Sequence, residues 1–420
     1  MKFGAVKNLL QGFATPPARV SAILLGFSVP ISVALDNVLL AVVLLAMLFS
    51  VRRAVQVVGE NPVARSAWLL FGALVVAIWY GTTPWREAAD TLAKYADLAF
   101  VPLFMVLLSG RRGQQHAINA FLVAMGLTLL LSFLVCLKLL PVQHWMNIGA
   151  AADNPSVFHS HITQNNMMAF AVFLALLKLR DATSLGNRLG WGTFAVLGGI
   201  NVLFMLQGRT GYLILLALLG WFAWATSARY VQARGKTWGW RQGAAILLLL
   251  PGFVAAAYQA SPRLQQRVDM VWSEFQAWQP NHGKDTSTGQ RLDFYYNAVQ
   301  IVQQHPVIGV GTGGFPAAFA QQVQGTGAPA THNPHNEYLM IAVQTGLIGL
   351  ALLLFLFYTE WRCAARLDTP FEQDAARGLV LAYLVNCLFN SALLDHSDGL
   401  LFAFMTAVLF ADLKWKAKSG

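Results

Sequence analysis

The string Thr331-His332-Asn333-Pro334-His335-Asn336-Glu337-Tyr338-Leu339 sets two imidazoles and a carboxylate where a hydrophilic stretch gives way to a long apolar run. Asn333 and Pro334 read as a helix start, which places His335, Asn336 and Glu337 in the first turn. The positive partial field at that position disfavours imidazolium, so His335 is expected to be neutral near pH 7 and able to take a proton. Two other readings stand beside this one. A histidine here can serve only as a helix cap. His332, His335 and Glu337 can also be read as a zinc cluster, although their spacing lacks the His-Glu-x-x-His pattern. No metal and no cofactor is expected.

Guanidinium groups supply the complementary charge. Arg209 sits in Gln207-Gly208-Arg209-Thr210-Gly211, a tight turn between two apolar runs. An arginine at a membrane edge is costly unless an anion meets it, and the alternative is a snorkelling surface side chain. Arg291 falls in the first turn of an amphipathic helix that Ser287 and Gln290 open as a capping box, with Leu292, Tyr295, Tyr296, Val299 and Val302 on its apolar face. Upstream, Arg86, Asp90, Lys94 and Asp97 alternate in sign at helical spacing, which stacks them on one face. They form a self-paired surface stripe, or else Arg86 and Lys94 meet an anionic headgroup or a substrate phosphate.

Other polar groups carry weaker signals. His159-Ser160-His161-Ile162-Thr163-Gln164-Asn165-Asn166 heads an apolar run and reads as a cap, with binding of sugar hydroxyls as the alternative. Asn386 and Asn390 share a helix face, and Asp395, His396 and Asp398 occupy the last outer turn; these are expected to bond neighbouring helices or hold water. Gly309-Val310-Gly311-Thr312-Gly313-Gly314-Phe315 fits the dinucleotide fingerprint literally. No strand precedes it, so it reads as a turn where backbones approach closely.

The elements that position these groups follow from composition. A chain of 420 residues, 56% hydrophobic and 11% charged, with mean hydropathy +0.52, is too apolar for a soluble domain. Lipid satisfies no backbone polar group, so spanning segments must be helices or a closed barrel, and long apolar runs such as 350–358 argue for helices. The chain is therefore expected to be an all-α polytopic membrane protein with about 12 spans, near 20–35, 37–50, 66–81, 95–109, 117–140, 162–178, 191–207, 211–228, 242–259, 335–359, 375–393 and 397–412. It forms one transmembrane domain, 1–420, with a large outer loop at 260–334 between the ninth and tenth spans, the loop that the resemblance given below makes periplasmic. In that loop Ser261-Pro262 opens an amphipathic helix carrying Leu264, Val268, Val271, Trp272, Phe275 and Trp278. The first span is read as retained rather than as a cleaved signal peptide.

A net charge of +10 suggests nucleic acid in a soluble protein, but here the basic residues follow topology and no nucleic-acid partner is expected. Alternate loops gather most of the 29 basic residues on one side, leaving Arg86, Lys94, Lys138, Arg209, Arg263, Arg267, Lys284 and Arg291 for the other. Both termini are then cytoplasmic and the long loop is outside. Trp68, Trp79, Trp85, Trp191, Trp238, Trp240, Trp361 and Trp415 fall near span ends, as interfacial rings do. Cys136, Cys363 and Cys387 lie outside the long loop and imply no disulfide framework.

At His335 the string His-Asn, nine residues, Gly346, two residues and Gly349 resembles the signature of the O-antigen ligase and polymerase superfamily. Arg291, Pro306 and the glycine-rich stretch 309–315 are similar to the outer-loop pattern of that family, and Arg209 matches its outer-turn arginine. In span number, loop position and motifs the resemblance covers essentially the whole chain. It implies a GT-C-like membrane glycosyltransferase in the bacterial inner membrane. Such an enzyme transfers O-antigen polysaccharide from undecaprenyl diphosphate, the donor, to the lipid A core oligosaccharide, the acceptor, on the periplasmic face. His335 then deprotonates the acceptor hydroxyl, and Arg209 and Arg291 hold the diphosphate, with Arg86 and Lys94 as further candidates. Arginines replace the divalent ion that neutralises charge in other sugar transferases, which predicts metal independence and net inversion at the anomeric carbon. Chain length favours the ligase branch over related protein oligosaccharyltransferases, which usually carry a further C-terminal region. A polymerase differs only in acceptor. A transporter or lipid flippase is the reading from another class, and it calls for broken helices paired in two related halves.

Overall fold

The computed structural model describes residues 15–235, 252, 258–259, 262–283 and 285–413. The span expected at 242–259 lies almost wholly outside the described residues, as do Lys2, Lys7, Lys236, Arg241, Ser261, Lys284, Lys414, Lys416, Lys418, Trp238, Trp240 and Trp415. The described chain is helical, with one isolated bridge between Ala151 and Asn154. In order the helices are α1 (Thr15–Ser28), α2 (Val33–Glu60), α3 (Pro62–Tyr80), α4 (Trp85–Lys94), α5 (Ala96–Leu108), α6 (Arg111–Cys136), α7 (His161–Asp181), α8 (Leu185–Ile200), α9 (Arg209–Ala233), α10 (Pro262–Ala277), α11 (Ser287–Gln304), α12 (Phe315–Gln322), α13 (Glu337–Ala364), α14 (Pro370–Phe389) and α15 (His396–Phe410). All expected spans except 242–259 coincide with one of these helices. Six helical segments among the described residues are long and apolar enough to cross a membrane, α8 being continued by a π-turn to Met205, or seven if α4 and α5, bent by 40° at Tyr95, count as one span.

Local sequence explains most of the boundaries. Asn61 caps α3 through Val63 N and Ala64 N with Pro62 in the first turn, and Thr369 with Glu372 closes a capping box on α14. Asp395 caps α15 through Ser397 N and Asp398 N. The apolar faces pack into one large core drawn from α1–α9 and α13–α15. A smaller core of Phe294, Ala298, Ile301, Phe315, Phe319, Met340 and Val343 seats α11 and α12 on the start of α13.

One end of the bundle collects the basic side chains. There Arg19 Nη2 donates to Ser109 O at 3.0 Å, and Arg180 and Arg229 meet Asp374 at 2.7 and 3.0 Å. The opposite end holds the starts of α7, α9, α13 and α15 and the end of α14.

The glycine-rich turn is built into the bundle rather than laid on its surface. α13 breaks at Gly346, where φ is 65°, so the carbonyls of Val343 and Gln344 lose their helical donors. Val310 N and Gly311 N take their place, each at 2.9 Å. In return Leu347 N donates to Pro306 O at 2.8 Å and Ile348 N to Val307 O at 3.4 Å. On its other side the turn meets α3, with Thr312 Oγ1 donating to Leu74 O at 2.7 Å. Irregular backbone is tolerated at this depth because protein, not lipid, satisfies it. Gly311 has φ 96° and lies against Gly81, and an added Cβ there would stand 2.3 Å from the Gly81 Cα. The close approach read from the sequence is therefore present, and Pro306–Gly314 departs from the expected surface loop by inserting between α3 and α13.

Candidate functional site

His335 does not sit in the first helical turn. Asn336 is the N-cap of α13, accepting from Leu339 N, and the helix begins at Glu337. Asn333, expected to open the helix, instead accepts from His335 N at 2.7 Å and from Ser391 Oγ at 2.7 Å. His335 is thus held just ahead of the cap with φ 53°, a left-handed conformation that costs an L-residue about 1–2 kcal/mol. Its carbonyl lies 3.2 Å from the Tyr295 hydroxyl, which also stands 3.1 Å from Leu388 O. Its ring stacks on Phe294 at 6.3 Å with 28° between planes. Burial, and next the positive charge of Arg291, lower its pKa from the ordinary 6.5. The neutral imidazole read from the sequence is what this environment favours, with burial first and the Arg291 charge second as its causes.

Arg291 lies on α11 with Phe294 and Tyr295 three and four residues on, so one helix face presents all three toward His335. The cap of α11 is Thr286, which accepts from Gly289 N at 3.0 Å. The expected Ser287 cap is therefore displaced by one residue, and Arg291 begins the second turn. Asp293 fixes the approach to this helix. Its buried carboxylate accepts from Trp278 Nε1, Asn281 N and Gly283 N, each at 2.8 Å. Among the described residues no carboxylate forms an ion pair with Arg291.

Arg209 is the first residue of α9, and its side chain is exposed with no ion pair among the described residues. The flanking glycines serve packing against α7. Asn165 Nδ2 donates to Gly208 O at 2.6 Å, and a Cβ on Gly211 would stand 2.5 Å from Asn165 Cγ. The next residue, Thr210, accepts from Asn390 Nδ2 at 3.3 Å, one residue before the Ser391 that bonds Asn333. Asn336 Nδ2 donates to Leu388 O at 3.0 Å. The end of α14, Leu388 to Ser391, is therefore the hub to which the segments carrying His335, Arg209 and, through Tyr295, Arg291 are tied.

The remaining sequence candidates separate from this centre. Glu337 is buried, accepting from Tyr95 OH at 2.9 Å and from Leu393 N at 2.9 Å. That commitment removes it from a ligand set with His335 and the exposed His332. Arg86 and Lys94 are exposed on α4 and pair with no acid among the described residues. The expected four-charge stripe is not formed, because the chain bends at Tyr95 and Asp97 is buried in α5. His159 bonds Val29 O at 2.8 Å through Nε2, and burial lowers its pKa. Ser160 caps α7, Gln164 accepts from Val157 N at 2.6 Å, and Asn166 Nδ2 donates to Asn386 at 3.1 Å, so these amides knit helices together. Tyr295, Asp293 and Ser391 were not singled out as site residues from sequence. Tyr295 was legible only as an apolar-face residue, and nothing local marks the other two.

The geometry is that of a polytopic helical membrane protein with a polar centre at one end. Residues 193–354, from within α8 to within α13, match the family model described as O-antigen ligase, and this stretch contains Arg209, Arg291, the glycine-rich turn and His335. Over this stretch, about two fifths of the chain, it resembles the O-antigen ligase/polymerase superfamily. An uncharacterized protein of Haemophilus influenzae is 24% identical to it over 174 residues, 39% of this chain and 44% of that relative. The match thus spans less than half the length of that protein.

Proposed function

We propose that this protein is an O-antigen ligase of the bacterial inner membrane, with both termini cytoplasmic and its polar centre periplasmic. It transfers O-antigen polysaccharide from undecaprenyl diphosphate to the lipid A core oligosaccharide. The observation that carries the reading is a half-buried imidazole whose pKa is lowered, beside an arginine that no carboxylate pairs among the described residues. In a single displacement the acceptor hydroxyl attacks the anomeric carbon, its proton passes to His335, and the bond to the diphosphate oxygen breaks with inversion. Arg291 and Arg209 hold the departing diphosphate as charge develops on it, and planar guanidinium groups suit bidentate contact with phosphate oxygens. Arg86 and Lys94 are secondary candidates, serving the donor headgroup from α4.

The same charge logic makes transfer independent of divalent metal, so EDTA is expected to leave the purified reaction unchanged; loss of transfer would refute that part. The broken α13 does not favour a transporter, because the break is filled by Val307–Gly311 backbone. The decisive experiment replaces His335 with Asn, which tolerates a left-handed backbone but is no base. Transfer should fall by about 100-fold or more, with protein level unchanged and lipid-linked donor accumulating. Wild-type capping of the lipid A core in this variant would reject the base. Supplying lipid-linked repeat units and lipid A core as separate acceptors tests ligase against polymerase: elongation of the former alone would overturn the ligase reading.

A further inference from the structure

At the basic end of the bundle three guanidinium groups, those of Arg180, Arg229 and Arg377, gather near two carboxylates, with Asp181 2.9 Å from Arg180 Nε. Asp374 on α14 is buried and shared by Arg180 of α7 and Arg229 of α9. Arg377, three residues along α14, takes no part in that pairing. Its guanidinium carbon lies 5.6 Å from the ring centroids of both Trp221 on α9 and Trp361 on α13. The two indoles meet edge to face at 5.1 Å.

Arg377 Nε and Trp221 Nε1 are both shielded from solvent and donate to nothing among the described residues. Indole faces attract a cation but offer no oxygen to an N–H. Buried donors of this kind call for an acceptor, and the surplus positive charge calls for an anionic one. Side chains on a helix tilt toward its N-terminus, so Arg377 is directed along α14 toward Pro370 and the basic end. Arg377, Trp221 and Trp361 are each half-buried, hence not sealed inside the bundle. Trp361 lies in the last turn of α13, where an indole sits at the headgroups, Trp221 of α9 packs against it, and basic pockets between spanning helices suit anionic lipid.

We propose that Arg377, Trp221 and Trp361 form a binding site for the phosphodiester headgroup of an anionic phospholipid in the leaflet at the basic end of the bundle. The phosphate oxygens accept from Arg377 Nε and Trp221 Nε1, and the indole faces flank the cation. The site lies at the opposite end from His335 and is independent of the transfer reaction.

The test uses the full chain, purified in detergent, stripped of phospholipid and titrated with phosphatidylglycerol, phosphatidylcholine or inorganic phosphate while native mass spectrometry counts bound molecules. Phosphatidylglycerol is expected to bind more tightly than phosphatidylcholine, and Arg377→Gln to weaken it about fivefold, the share of one basic side chain at headgroup level. Trp221→Phe keeps the ring face and removes the donor. It should produce a smaller loss in the same direction, and it decides the matter if Arg377→Gln does not fold. Equal affinity for the two lipids, equally tight binding of inorganic phosphate, or unchanged phosphatidylglycerol affinity in the variants overturns the proposal.

Discussion

Replacing Gly346 with Ala should damage the protein more than its single methyl group implies. The new Cβ would stand 2.2 Å from Val307 O, 2.3 Å from Val307 C and 2.5 Å from Ile308 N, and these are backbone atoms that no rotamer change can move aside. An L-residue at φ 65° adds about 1–2 kcal/mol of strain. Overpacking of this kind adds about 1–3 kcal/mol. Together they reach about 2–5 kcal/mol, a large part of a typical net stability of about 5–15 kcal/mol. Gly325→Ala isolates one component, because Gly325 has φ 77° but open space around its Cβ position, and it should lose only the strain. Thermal unfolding in detergent is expected to rank wild type above Gly325→Ala and Gly325→Ala above Gly346→Ala. Transfer should fall in Gly346→Ala alone, since the Pro306–Gly314 turn that seats α11 against α13 is displaced. Equal losses in the two variants would refute the claim that the exchange of hydrogen bonds at the α13 break is tightly packed.

Other outcomes follow from the same geometry. On the proposed mechanism transfer needs neutral His335, whose pKa is depressed, so the rate should be lost as pH falls through a value below the ordinary 6.5. In Arg291→Gln the acid limb should move to higher pH even though the maximal rate drops, because the charge that helps suppress imidazolium is gone; an unmoved limb in the normalised profile would contradict the coupling. Arg209→Lys and Arg291→Lys should each lose about tenfold or more in transfer, since a point charge does not reproduce a planar fork, and full activity in both would remove the diphosphate role. Glu337→Ala strands the Tyr95 hydroxyl and the Leu393 amide and should destabilise by about 1–3 kcal/mol, whereas Glu337→Gln keeps an acceptor and should lose less. Equal unfolding temperatures for those two variants would show that the buried acid is not holding α13 to the last outer turn.

Much of this was legible in particular residues. The apolar runs locate every described spanning helix, and the Leu292-to-Val302 pattern locates α11 with its boundary off by one residue. Asn333 and Asn336 were not separable, because both offer the same carboxamide within reach of a following N–H. Ser391, distant in sequence, engages the first, so the second becomes the cap. The Arg86-to-Asp97 stripe failed for a related reason: uninterrupted helical spacing cannot show that Tyr95 turns inward to Glu337 and bends the chain.

The chain's own residues determined a helical membrane protein and the end of the bundle that takes the basic charge. Hydropathy and capping act over a few residues, so they can be read locally. Only the tertiary structure decided that His335 stands outside its helix in a left-handed backbone, that burial and the Arg291 charge suppress its protonation, and that the glycine-rich turn repairs a broken span. Each of those rests on a hydrogen bond, a ring contact or a field between segments distant in sequence, and desolvation depends on what the rest of the fold places around a side chain.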